Sequence, residues 1–372
     1  MEIDKKKINV IAFYLPQYHE IPENNEAYGK GFTEWTNVKK AVPLFDGHRQ
    51  PRVPLNKNYY CLLDGGKTME NQAKLAKEHG IAGFCYYHYH FKGGKLLLEK
   101  PLELMLQNKK IDIPFCLCWA NENWSKRWDG GNNEIIVEQD YDDLASISEH
   151  VKYLAPFLKD ERYITIDKKP LLIIYKPDLI PNLKQYVETI RECFRKEGVG
   201  EIYLASQYPT YFWNHKKLDI FDWYIEFEPM FSDFRLRYEG HRFKQWVKKV
   251  LIKLHLFNAI KNPNKNKELA RKNYDEQWRA NLTYKVKDKR LIAGAFVDWD
   301  NTPRVKTGTL YEGATVEKFD NYFGRLVSKV NNEYTLPMIF VNAWNEWGEG
   351  AYLEPDEENK TGYLEAIKKH LG

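Results

Sequence analysis

The chain has 372 residues, a net charge of +4 and 43% hydrophobic residues, 15% of the chain being aromatic. That is apolar material for a large core and too little net charge to argue for a nucleic-acid partner, while the aromatic share favours a carbohydrate or a nucleotide ligand. No stretch reaches the ~18 consecutive apolar residues of a membrane span, and the five cysteines, being odd in number, cannot all pair.

Met1-Glu2-Ile3-Asp4-Lys5-Lys6-Lys7 leads into a strand with no signal-peptide apolar region, so the expected location is cytoplasmic. Residues 8–15 read as a first buried strand, ending at Pro16-Gln17-Tyr18-His19. An irregular segment, 20–68, follows and holds Gly31-Phe32-Thr33-Glu34-Trp35; a loop of that length is usually a functional element or a lid. A helix over 69–79 leads to a second strand, 81–87, which runs into His88-Tyr89-His90. A helix over 96–107 precedes a third strand, 114–119, and then Ala120-Asn121-Glu122-Asn123-Trp124 and Arg127-Trp128-Asp129. A helix over 142–158, a strand over 170–175 and a helix over 181–197 come next, with Pro181 where first helical turns favour it. Strands over 202–206 and 223–227 follow, the second ending at Glu228-Pro229. One or two helices fall in 241–282, then a strand over 291–297 ends at Asp298-Trp299-Asp300. A helix over 316–330, an eighth strand over 337–343 and a helix over 363–371 close the chain.

Eight apolar strands alternating with helices is the pattern of an α/β (β/α)8 TIM barrel, with a doubly wound sheet as the alternative. The polar and aromatic clusters fall just after strands, where barrel active sites form. The expectation is one barrel domain over 1–372 with long βα loops and a basic helical insertion at 241–282. Cys116 and Cys118 alternate along one strand, and without two further ligands at zinc spacing they read as structural thiols.

The strongest chemical signal follows the eighth strand, in Asn345-Glu346-Trp347-Gly348-Glu349-Gly350. Carboxylates three apart in a helical turn lie on one side, and close carboxylates push one pKa up and leave the other ionised. A random Glu-x-x-Glu is usually a solvated surface pair; this one leaves a buried strand among Trp and Gly. His88 and His90 read as hydrogen-bonded loop histidines unless further metal ligands accompany them. Trp119, Trp124 and Trp128, mixed with Asn121, Glu122 and Asn123, suit sugar rings and hydroxyls as well as plain packing. Glu228 suits a sugar hydroxyl or a surface position. Asp298-Trp299-Asp300 fits the loose DxD with which nucleotide-sugar transferases hold a divalent cation, yet no phosphate-cradling Gly-rich loop accompanies it. The expected site uses no metal and no cofactor.

Residues 244–272 carry nine Lys or Arg against one Glu, beside an apolar stripe at Trp246, Val247, Val250, Leu251 and Leu254. An outer barrel helix with a solvated basic face explains this; peripheral contact of 244–257 with an anionic membrane is the sharper alternative.

Five long motifs, in order, carry a resemblance over nearly the whole chain: 12–19, 31–35, 83–89, 118–124 and 344–350. The chain resembles the WbsX-like proteins, which are related to glycoside hydrolase family 99. The resemblance implies a (β/α)8 barrel that cleaves internal α-mannosidic linkages with retention and without metal, acting on an oligosaccharide or lipid-linked glycan. It implies Glu346 as the base that deprotonates the substrate 2-hydroxyl and Glu349 as the acid on the leaving oxygen. Gly348 stands where the family 99 motif has His. WbsX-like proteins are associated with surface-polysaccharide biosynthesis and are also labelled glycosyltransferases, so a transferase and a non-catalytic glycan-binding barrel stay as alternatives. Candidate sugar contacts are Tyr14, Gln17, Trp35, Tyr87, His88, Trp119, Asn121, Glu122, Trp124, Glu228, Asp298, Trp299, Trp344 and Asn345.

Overall fold

Strands buried on both faces need no polar alternation, and the eight apolar runs fold accordingly. The computed structural model describes residues 1–126, 134–141, 144–208, 219–239 and 268–371. The barrel strands are β1 (Asn9–Tyr14), β2 (Ile81–His90), β3 (Phe115–Trp119), β4 (Lys169–Ile174), β5 (Tyr203–Tyr208), β6 (Trp223–Glu226), β7 (Leu291–Phe296) and β8 (Met338–Asn342). Each pairs in parallel with the next, and β8 pairs in parallel with β1, which closes the ring. This is a (β/α)8 barrel.

The helices between and after the strands are α1 (Lys67–Glu78), α2 (Glu99–Gln107), α3 (Leu144–Leu158), α4 (Leu183–Lys196), α5 (Met230–Glu239), α6 (Tyr274–Thr283), α7 (Val316–Glu333) and α8 (Gly362–Leu371). Their starts follow ordinary capping chemistry: the Asn273 side chain accepts the Glu276 N–H ahead of α6, and Thr315 accepts the Lys318 N–H ahead of α7.

An aromatic layer fills the barrel. Phe13 stacks on Tyr87 at 5.6 Å, meets Phe227 edge-on at 5.4 Å and touches Phe340 at 5.5 Å. Tyr175 reaches Tyr87 and Phe227 at 6.2 and 6.3 Å. Losing a ring such as Phe13 from this layer costs about 3–5 kcal/mol.

Several local expectations change. Leu96–Leu97 pairs antiparallel with the end of β2, so that helix begins only at Glu99. The 20–68 segment carries two short helices, Pro22–Tyr28 and Glu34–Lys40. Within 241–282, residues 240–267 lie outside the described ones, including the basic 244–257; Ala270–Asn273 is a strand paired with Thr309–Glu312, followed by α6. Trp128 and Asp129 also lie outside the described residues. All five cysteines are free thiols, with Cys85, Cys116 and Cys118 buried. Among the described residues no helix is long and apolar enough to cross a membrane.

Candidate active site

Beyond β8 the chain makes a tight hairpin. Asn345–Glu346 pairs antiparallel with Ala351–Tyr352, and Trp347–Glu349 is a single 3-10 turn at its tip. Gly350 ends the turn with φ +63°, the left-handed region glycine tolerates, and a Cβ there would stand 2.9 Å from Asp300 N. Trp347 anchors the turn from below: it stacks on Tyr352 at 3.8 Å, leans on Trp35 at 5.4 Å and donates its Nε1–H to Glu354 at 2.7 Å. Asn345 ties the hairpin to the end of β1, accepting the Leu15 N–H at 2.7 Å and donating to Leu15 O at 3.0 Å. Glu346 and Glu349, flanking this anchor, face the same partner.

That partner is Arg304, from the loop after β7. Its Nη2–H donates to Glu346 Oε2 at 2.8 Å and its Nη1–H to Glu349 Oε1 at 2.5 Å. Glu34, from the loop after β1, accepts from Arg304 Nε at 2.9 Å. Local structure aims both. The Glu34 N–H donates to Gln17 O at 3.2 Å, and Thr36 Oγ1 accepts the Thr33 N–H at 3.1 Å, which fixes the helix start. The Arg304 N–H closes a turn on Asn301 O at 3.1 Å, while Asp300 accepts from Thr302 Oγ1 at 2.6 Å at the foot of that turn. The Asp300 N–H in turn donates to Glu349 O at 2.6 Å, tying the two loops.

Three carboxylates share one cation, and ionising all of them would leave two uncompensated negative charges in an enclosed site. Burial pushes the Glu349 carboxyl up to about 8; Arg304 opposes this, and Glu346 and Glu34 add to it. Burial likewise pushes Glu34 up to about 7 against Arg304. The Glu34 side chain is fully enclosed, Glu346 is 8% exposed and Glu349 is 24% exposed. Of the two raised carboxyls, Glu349 is the one open to a ligand. A proton-bearing carboxyl beside a second one is what acid–base chemistry requires.

The structure places the other candidates unequally. Tyr87 faces the barrel axis, and its phenol, like that of neighbouring Tyr89, feels the Glu346 charge. Alternation turns His88 to the outside, where its Nε2 lies 2.8 Å from His150 Nε2 on α3; burial holds both imidazoles well below their usual pKa. Trp119, on the same outer side, donates to His90 O at 3.1 Å and packs on His150. Tyr14 donates to Gln72 of α1 at 2.6 Å, Trp344 packs on Phe84 fully enclosed, and Trp35 donates to Tyr60 O at 2.8 Å. Glu228 accepts from Ser232 Oγ at 2.6 Å and Asn281 at 3.0 Å, and burial raises it to about 8. These residues, and Asn345, all make contacts within the protein framework.

Asn121 bonds the Lys176 backbone in both directions at 2.7 and 2.8 Å, and Glu122, with its side chain 34% exposed, pairs with the Lys176 ammonium. Trp124 meets Tyr89 edge-on at 5.2 Å and donates to Asn24 at 3.1 Å. The Gln17 side-chain amide and the Trp299 indole N–H are buried without a hydrogen-bond partner among the described residues. Asp298 accepts from Arg52 at 2.8 Å. Asp300 Oδ2 accepts from Gln50 at 2.7 Å and lies 2.8 Å from His48 Nε2. Both DxD carboxylates are therefore engaged by protein groups, and Asp300 stands at the foot of the turn that carries Arg304. Among the described residues no three His, Cys, Asp or Glu are grouped to hold a metal ion.

Sequence reasoning missed Arg304 and Glu34 as site residues. Glu34 stood inside a quoted motif, which was a usable signal; Arg304 sits in an undistinguished loop.

Fold and site define a (β/α)8 barrel with a clustered carboxylate pair at the C-terminal rim. The family model of glycosyltransferase WbsX matches residues 10–367, and the chain belongs to that family. It is 37% identical over 371 residues to "Uncharacterized protein WxcX" of Xanthomonas campestris pv. campestris, strain B100, covering 97% of this chain. The chain spans about half, 49%, of that relative's length. Among solved structures it is similar to the GH99 endo-alpha-mannosidase of Bacteroides thetaiotaomicron bound to bis-tris-propane, with a TM-score of 0.55 and 12% identity over 99% of this chain and 97% of that one. A glycoside hydrolase-like protein gives a TM-score of 0.58 at 12% identity, covering 100% and 95%. At such identities the likeness speaks for the fold.

Proposed function

We propose that the protein is a carbohydrate-active enzyme that cleaves or transfers α-linked, mannose-like sugars of a bacterial surface polysaccharide or its lipid-linked precursor. The observation that carries this reading is the Glu346/Glu349 pair on one guanidinium at the rim, with the Glu349 proton held to about 8. Glu346 takes the proton of the substrate 2-hydroxyl as O2 attacks C1. The bond from C1 to the leaving oxygen breaks, and Glu349 gives that oxygen its proton. Water or an acceptor hydroxyl then opens the three-membered ring at C1, returning a proton to Glu349 while O2 regains one from Glu346. The configuration at C1 is retained. Ordinary retaining enzymes instead place a carboxylate nucleophile ~5–5.5 Å from the acid, across the sugar. Two carboxylates on one short turn, sharing one cation, suit a base that works through O2.

Transfer instead of hydrolysis is the second reading, favoured by the family's description as a glycosyltransferase. It changes the acceptor and leaves the residue roles as they are. The basic segment 244–257 is proposed to bring the enzyme to lipid-linked substrate at an anionic surface.

The test is a mass-spectrometric screen with defined α-mannosyl oligosaccharides and nucleotide sugars, followed by Glu346→Gln and Glu349→Gln. Each variant should lose at least the ~10²-fold typical of general acid–base groups. An α-glycosyl fluoride, whose leaving group needs little protonation, should rescue Glu349→Gln and not Glu346→Gln. Near-full activity in both variants would refute the assignment. Binding without turnover would support the glycan-binding barrel.

A further inference from the structure

The space beside Gly348 is already taken. A Cβ added there would stand 1.8 Å from Glu34 Oε1 and 2.7 Å from Arg304 Nε. Real side chains do not approach so closely, so the glycine is dictated by room. The three residues come from three different loops, after β1, β7 and β8.

Glu34 is fully enclosed, too deep to meet a sugar. It engages the inner edge of the guanidinium, accepting from Nε at 2.9 Å and lying 2.8 Å from Nη2. The outer nitrogens then reach Glu346 and Glu349. A planar fork held on one edge presents fixed donors on the other, which a lysine ammonium cannot do.

We propose that Arg304 is a positioning residue for the Glu346/Glu349 pair, locked by Glu34 into the space that Gly348 leaves, so that three loops set the geometry of one acid–base pair. This rests on the reading that these two carboxyls react. Its direct role is to fix where the two carboxyl groups stand; its charge also favours their ionised forms.

The experiment follows the Glu349 carboxyl by ¹³C NMR in protein labelled at glutamate, with Glu349→Gln assigning the signal, and measures turnover of an α-glycosyl fluoride. The variants are Arg304→Gln, Arg304→Lys and Gly348→Ala. Arg304→Gln and Gly348→Ala should both move the Glu349 titration upward, since a cation close to a carboxyl lowers its pKa and each variant removes or displaces it. Arg304→Lys keeps the charge, so the titration should move less, while kcat falls at least ~10-fold with KM little changed, as misplacement of reacting groups produces. A wild-type Glu349 titration in Arg304→Gln or Gly348→Ala would overturn the proposal, as would full kcat in Arg304→Lys. If turnover survives Glu346→Gln and Glu349→Gln, the catalytic reading falls by itself, and the titration still decides whether Arg304 and Gly348 form one unit with Glu349.

Discussion

Glu354 lies beneath the Trp347–Glu349 turn, buried and held by uncharged donors. It accepts from Trp347 Nε1 at 2.7 Å, Gln72 Nε2 at 2.6 Å and Tyr60 Oη at 2.8 Å. Burial outweighs these bonds and pushes its pKa from 4.5 up to about 7. A raised carboxyl pKa means the folded state holds the proton more tightly than the unfolded chain. Its stabilising contribution is therefore complete below 4.5 and is lost as pH rises to about 7. At 1.36 kcal/mol per pKa unit, the loss is ~3 kcal/mol as an upper figure, of which about 2–3 falls between pH 5 and 8. Glu354→Gln keeps the volume and removes the titration. Its amide oxygen can keep Trp347 and Tyr60, but its NH2 then faces Gln72 Nε2, and a flipped Gln72 would donate to Tyr14 Oη and deprive the Tyr14 O–H of its acceptor. One such mismatch costs about 1–3 kcal/mol. The variant should be less stable than wild type at pH 5, and the gap should close or reverse at pH 8. With unfolding entropy of ~2.1 cal/mol/K per residue, a chain of 372 residues shifts Tm by roughly 1.3 °C per kcal/mol, so the gap should change by ~3 °C. Thermal unfolding of both proteins at the two pH values measures it. A Tm difference that is the same at both would refute the reasoning, since every other titrating group cancels in the comparison.

Two further outcomes follow from the site and the sequence. Glu349 must carry its proton to act as the acid, so kcat/KM on a substrate with a poor leaving group should fall as pH rises through about 8; a profile flat well above that would remove Glu349 from the role. If residues 244–257 contact membranes, the protein should float with anionic liposomes at low salt and detach at high salt, each Lys or Arg contributing on the order of 1 kcal/mol; protein that stays at the bottom at low salt refutes the contact.

The barrel was legible because most of its strands are built on apolar runs bounded by turn chemistry, and β8 with its Glu346/Glu349 turn stood out for the same reason. What the runs did not convey was facing. His88 and His90, read as loop histidines, both lie in β2 and turn toward His150 of α3, whereas Tyr87, one residue earlier than His88, faces the axis. Local sequence likewise cannot show that Arg52, His48 and Gln50, some 250 residues earlier, engage the DxD carboxylates. Arg304 escaped notice for a related reason: its contact with Glu34 spans 270 residues and follows no periodicity.

The crowding at Gly348 also governs how this barrel can be altered. Positions 34, 304 and 348 are interdependent: enlarging 348 displaces Glu34 or Arg304 unless one of them has been shortened, and restoring glycine without the pair leaves a hole beside Glu349. A library that varies 348 alone would shift the Glu34–Arg304 pair with every residue other than glycine. A graft of the β8 loop from a relative with a larger residue there would have to bring the loops after β1 and β7 along with it.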